Sequence, residues 1–153
     1  MIGKFENAGN RKGIEVMLRH TPEQTGLPFW TYSQYTHLRE MAPLPIGANV
    51  KMGQEIGKTS KTGKMGRRVR RDALHFAILY SQHPEWSSDG RFVTPKDGYW
   101  MDPNAFYRMG PPYDSQSLAG LPADRKKVPV PYMKKDGTFM NPDTKRIWPY
   151  VCG

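Results

Sequence analysis

Fourteen prolines and fifteen glycines interrupt these 153 residues, and this punctuation constrains the fold more than any other feature. Proline removes a backbone donor and clashes inside a helix, and glycine loses the most conformational freedom when it is ordered. The pattern predicts a loop-rich, mainly β chain instead of a helical bundle. Ile14-Glu15-Val16-Met17-Leu18 alternates apolar and polar residues between Lys12-Gly13 and Thr21-Pro22 and reads as a strand. Phe29 to Tyr35 is aromatic and β-branched, which suits a pleated surface. Leu74 to Tyr80 is more continuously apolar and is expected at the centre of a sheet. Asn49–Gly53 and Glu55–Thr59 read as two further short strands around glycine turns. A short helix is expected from Asp102, with Asp at the N-cap and Pro103 at the first helical position.

Composition changes after Arg108. Gly110-Pro111-Pro112 breaks regular structure, and little periodicity follows as far as residue 131. Lys135-Asp136-Gly137-Thr138 predicts a hairpin turn between Val130–Met133 and Phe139–Met140. Residues 1–109 are therefore read as one domain. Residues 110–153, too few for a core of their own, are read as a Pro-rich C-terminal appendage pinned by Trp148 and Tyr150.

The formal net charge of +9 favours an anionic partner: a bacterial wall polymer, an anionic lipid or a nucleic acid. Lys58, Lys61, Lys64, Arg67, Arg68, Arg70 and Arg71 fall in one loop, a solvated loop or an electrostatic rim. The single cysteine, Cys152, excludes an intrachain disulfide framework and a thiolate zinc cluster. No apolar run is long enough to span a membrane, and no signal peptide is visible after Met1.

Four segments carry a resemblance when taken in order. They are Tyr35-Thr36-His37-Leu38, then Gly53-Gln54-Glu55-Ile56-Gly57, then Thr62-Gly63, then Leu74-His75-Phe76-Ala77-Ile78. Together they resemble the lysostaphin-type (LytM-like) zinc metallopeptidases, which cut peptidoglycan. The resemblance covers residues 1–108 and implies an antiparallel β-sandwich, or barrel-sandwich hybrid of the duplicated hybrid motif type. It implies that His75, as the second histidine of HxH, is a zinc ligand, and that His37 is the catalytic imidazole. It also implies zinc as cofactor, peptidoglycan or another anionic wall polymer as partner, and a place in the cell envelope, periplasmic or extracellular. His20 is expected to be peripheral and His83 to lie on a surface loop.

The departures point the other way. Ala73 stands where the family has the first histidine of HxH. No HxxxD is present, since the residues four after His20, His37, His75 and His83 are Gln24, Met41, Leu79 and Ser87. Met1–Gly9 resembles the strand that follows HxxxD, so the HxxxD strand itself is expected upstream of Met1. A catalytic zinc takes three protein ligands, and the resemblance supplies one. The chain is thus expected to be inactive as it stands. The alternatives are a non-catalytic wall-binding or hydrolase-activating module and, ranked last, a basic nucleic-acid-binding β-domain. A sheet lacking that strand is expected to have its edge filled by Val128–Met140 or by a second copy of the chain.

Overall fold

The computed structural model describes residues 1–8, 11–108, 110–141 and 144–153. Gly9, at the end of the first segment compared above, and residue 109, at the expected domain boundary, lie outside the described residues. The protein is mainly β. Its strands are β1 (Gly3–Phe5), β2 (Ile14–His20), β3 (Trp30–Leu38), β4 (His75–Ser81), β5 (Trp86–Ser88), β6 (Val93–Pro95), β7 (Tyr99–Met101), β8 (Tyr132–Lys134), β9 (Phe139–Met140) and β10 (Val151–Cys152). Among the described residues five short helices join them: α1 (Pro22–Thr25), α2 (Gly63–Gly66), α3 (Pro103–Arg108), α4 (Ser115–Ala119) and α5 (Ala123–Lys126).

The three strands expected from the sequence lie together in a five-stranded antiparallel sheet of order β1-β2-β3-β4-β7. Alternation along β2, β3 and β4 sends side chains to two faces. One face carries Met17, Tyr32 and Leu79, which pack with Phe5, Ala8 and Val93 and with Trp86 beneath the β5–β6 hairpin. The other face carries two clusters. Ile78 packs there with Leu27, Phe29, Met101 and Phe106, and Val16 and Leu18 pack with Leu38 and Ala42. Layers on both faces of the main sheet make the arrangement β-sandwich-like, and among the described residues no barrel closes.

The C-terminal segment contributes to this packing. Leu118 belongs to the Phe29–Ile78 cluster, with Leu121, Val128 and Val130 against it. The hairpin at Lys135–Thr138 forms as expected: β8 pairs with β9 antiparallel, and β10 adds to β8 in parallel. Asp102 starts α3 as expected, its carboxylate accepting from the Asn104 backbone N–H at 2.8 Å.

Two expectations need correction. Asn49–Gly53 and Glu55–Thr59 are not strands; only isolated bridges, Leu38 with Thr59 and Ser60 with Ala73, touch this region. The reason is local. Gln54 closes a turn on Lys51 through both its backbone and its side chain, and Gly47 and Gly53 turn the chain with positive φ. Those bonds use the groups a ladder would need. Nor does Val128–Met140 extend the main sheet, since Tyr132–Lys134 pairs with β9 and β10 instead. Pro129 and Pro131 lack the N–H that a sheet partner requires. At the β1 edge, residues 42–48 run close by. The Met1 amino group donates to Ala48 O at 2.6 Å, Gly47 N–H donates to Met1 O, and Lys4 Nζ donates to Ala42 O and Leu44 O.

Candidate functional site

His37 lies at the end of β3 and His75 begins β4, and the pairing sets Thr36 opposite His75. Strict alternation would turn His37 to the face opposite Thr36 and His75. The ladder instead skips a residue: Ile14 pairs with Leu38 and Glu15 with Thr36, so His37 is the extra residue of a β-bulge. Its φ is +66°, a left-handed conformation that costs a non-glycine residue free energy and that recurs at functional positions. The bulge brings the two imidazoles to 6.2 Å between ring centroids, edge to face at 85°.

Backbone carbonyls fix the His37 ring. Nδ1 lies 2.8 Å from Lys12 O and 2.8 Å from Thr62 O. Carbonyls only accept, so Nδ1 carries the proton and Nε2 is left for a ligand. Two glycines bring those carbonyls together. Gly13 and Gly63 both have positive φ and meet backbone to backbone; a Cβ on Gly63 would stand 2.3 Å from Gly13 N, and one on Gly13 would stand 2.4 Å from Gly63 N. Thr62 locks the contact, its hydroxyl accepting from Ile14 N–H at 3.1 Å and donating to Leu38 O at 2.7 Å. Gly66 closes the back, where a Cβ would stand 2.9 Å from His37 Nδ1. The Thr62-Gly63 segment thus serves to hold His37 in place.

His75 is exposed. Partial desolvation, followed by the nearby His37 and Lys12, lowers its pKa below the usual histidine range. On the same sheet face lies a residue that the sequence did not single out. Glu15 is fully buried, accepts from Thr36 Oγ1 at 3.1 Å and lies 3.6 Å from Lys12 Nζ. Burial pushes its carboxyl pKa up, opposed by Gln34, Lys12 and Thr36. Alternation alone marked Glu15 as solvent-facing; only the layer over this face reverses that.

Ala73 bridges to Ser60 two residues before β4, and its methyl side chain cannot move a proton. His20 lies on the other face, its Nε2 2.7 Å from Ser33 Oγ, with its pKa lowered to about 4 by burial and then by the N-terminal charge. His83 sits in a surface turn beside Asp97 at 3.5 Å. The seven cations of the 58–71 loop are all exposed. Tyr32 is fully buried and Phe29 nearly so, hence core residues, while Trp30 and Tyr35 are partly buried. A cavity of about 1120 Å³ lies against the opposite face of the sheet, lined by Leu18, Tyr35 and Phe76, and neither His37 nor His75 reaches it.

Among the described residues no group of three or more His, Cys, Asp or Glu side chains gathers to hold a metal ion. Two imidazoles fall short of the three-ligand set of a catalytic zinc, so no reaction step is assigned through zinc. Compared with known proteins, the chain matches no family model, no curated protein and no solved structure.

Proposed function

We propose that this chain is a lysostaphin-like domain that recognises peptidoglycan, or a similar anionic wall polymer, at the His37–His75 face, and that the polypeptide alone binds without cutting. The observation that carries this reading is the bulge at His37. It spends backbone strain to set one imidazole beside another, with Nδ1 held by two carbonyls and Nε2 free. Imidazoles at that separation can each hydrogen-bond one peptide group of an extended ligand. The exposed cations of the 58–71 loop would draw an anionic polymer toward the same end of the sheet. On this reading the protein works at the cell envelope, periplasmic or extracellular. Hydrolysis would require donors beyond these two histidines.

Co-sedimentation with purified peptidoglycan sacculi tests the proposal. The chain is expected to pellet with sacculi and release no soluble fragments, and His37→Ala and His75→Ala are each expected to weaken binding by about tenfold, the effect of one or two lost hydrogen bonds. Tighter binding to an oligonucleotide than to sacculi, unaffected by either substitution, would overturn it in favour of a nucleic-acid-binding domain.

A further inference from the structure

We propose that the tyrosine cluster at the β7 edge of the main sheet, Tyr80, Tyr99 and Tyr113 with Asp102 and Asp114 beside them, binds a quaternary ammonium group such as the trimethylammonium head of choline. Tyr99 of β7 stands opposite Tyr80 of β4, on the face of the sheet away from His75. The Tyr80 ring centroid lies 5.8 Å from that of Tyr99 and 5.7 Å from that of Tyr113, with tilts of 34° and 49°. Phe29 backs the cluster from the core, 4.6 Å from Tyr80 and edge to face with Tyr113 at 5.0 Å. The cluster opens to solvent: Tyr99 is 63% exposed, and Tyr80 and Tyr113 are half-buried. Among the described residues no strand lies beyond β7 to cover it.

The local charge here is opposite to that of the whole chain, whose net charge is +9. Asp102 N–H donates to Tyr113 O at 2.8 Å, and Asp114 follows Tyr113 directly, so two acidic residues bracket that tyrosine. Burial, then Tyr99, Tyr113 and Asp114, raises the Tyr80 pKa, and no cation opposes them. Among the described residues the cations that lie over rings are Lys12 on Phe92, Arg19 on Trp30 and Arg146 on Phe106, so none takes a tyrosine face of this cluster. Those faces carry the negative end of the ring quadrupole and attract a cation placed over them. The carboxylates select the kind of cation. Asp102 accepts from Asn104 N–H and Ser115 Oγ, and Asp114 from Ser117 N–H. Their charge remains while much of their accepting capacity is used. A primary ammonium leaving water needs acceptors for its three N–H groups. A trimethylammonium group has no N–H to satisfy, and its methyl shell packs on aromatic rings. The cluster is apart from the His37–His75 face, so this inference does not rest on wall recognition.

Titration of the full chain with choline, ethanolamine and 3,3-dimethyl-1-butanol, followed by NMR of the tyrosine ring protons, decides it. Ethanolamine keeps the charge of choline without its methyl groups, and the butanol keeps the shape without the charge. Choline is expected to bind once per chain in the millimolar range, about tenfold tighter than either, the effect of a cation shared by two or three rings. Tyr99→Leu should bring choline down to the affinity of the butanol. Asp114→Asn, which keeps a capping side chain, should weaken choline severalfold and leave the butanol unchanged. Should either variant fail to fold, the comparison of the three ligands on the unaltered chain still decides. Phosphatidylcholine vesicles offered in parallel distinguish a lipid headgroup, which would bind more tightly than free choline, from a free solute, which would not; either source must lose its binding in Tyr99→Leu. No saturable shift with choline, equal binding of the butanol, ethanolamine binding as tightly as choline, or a folded Tyr99→Leu that keeps the preference would each overturn the proposal.

Discussion

The conformation of His37 depends on residues far from it in sequence. Lys12 and Thr62 supply the carbonyls, and Gly13 and Gly63 allow those carbonyls to meet. Gly63→Ala should therefore act as a severe change. Its Cβ would collide with backbone at 2.3–2.7 Å, which cannot rotate away, at a φ of +76° that alanine disfavours. A loss of about 2–4 kcal/mol is expected in urea denaturation; a loss under about 1 kcal/mol would mean the two loops are not in contact. His20 gives a second expectation at this scale. Its pKa is about 4 in the folded chain against 6.5 as the ordinary value, so between these pH values the unfolded chain binds a proton that the folded chain refuses. Its contribution to stability is complete above pH 6.5 and falls as pH drops toward 4, by up to about 3 kcal/mol. Glu15, whose pKa is raised, acts in the opposite direction at acid pH. The clean measurement is thus the difference between the parent chain and His20→Gln, followed by denaturation from pH 7.5 to 4.5. The parent should lose stability faster, and parallel curves would refute the burial of His20.

At the level of elements, strands with clear patterning were legible in the sequence and those defined by glycine were not. Ile14–Leu18, Phe29–Tyr35 and Leu74–Tyr80 all fall in the main sheet, their ends displaced by at most three residues. Apolar periodicity reports burial on a face, and that is what these three have. Residues 49–59 carry the same kind of residues but bury too few of them, and their backbone groups are used by a local turn. The bulge at His37 was invisible, since it exists only as a mismatch between two strands. The sheet edge where another strand is expected is short. The terminal strand β1 has three residues, and the 42–48 loop takes up hydrogen bonds at Met1 and Lys4. Short, covered edges are poor templates for another chain. Light scattering after size exclusion is expected to give a monomer at micromolar concentration; a dimer that persists on dilution would show that the edge at β1, or at β7, still seeks a partner.

For the whole molecule, the mainly β character was readable because proline and glycine density limits helices wherever they fall. The proposed function rests on a resemblance borne by His37, His75 and the segments between them, and the contribution of the structure is to bring those two rings together. The net charge of +9 and the exposed 58–71 loop predict that wall binding is salt-sensitive, weakening severalfold between low and physiological ionic strength as screening shortens the reach of those cations. Binding to sacculi that is indifferent to salt would remove that loop from the account. The most direct measurement is a titration of the chain with soluble peptidoglycan fragments, followed by nitrogen NMR of the histidine side chains. Free His37 is expected to be the Nδ1–H tautomer, the Nε2 signals of His37 and His75 are both expected to move on adding fragments, and those of His20 and His83 to stay still. Fragment binding that leaves His37 and His75 unmoved, or a His37 protonated at Nε2 alone, would contradict it.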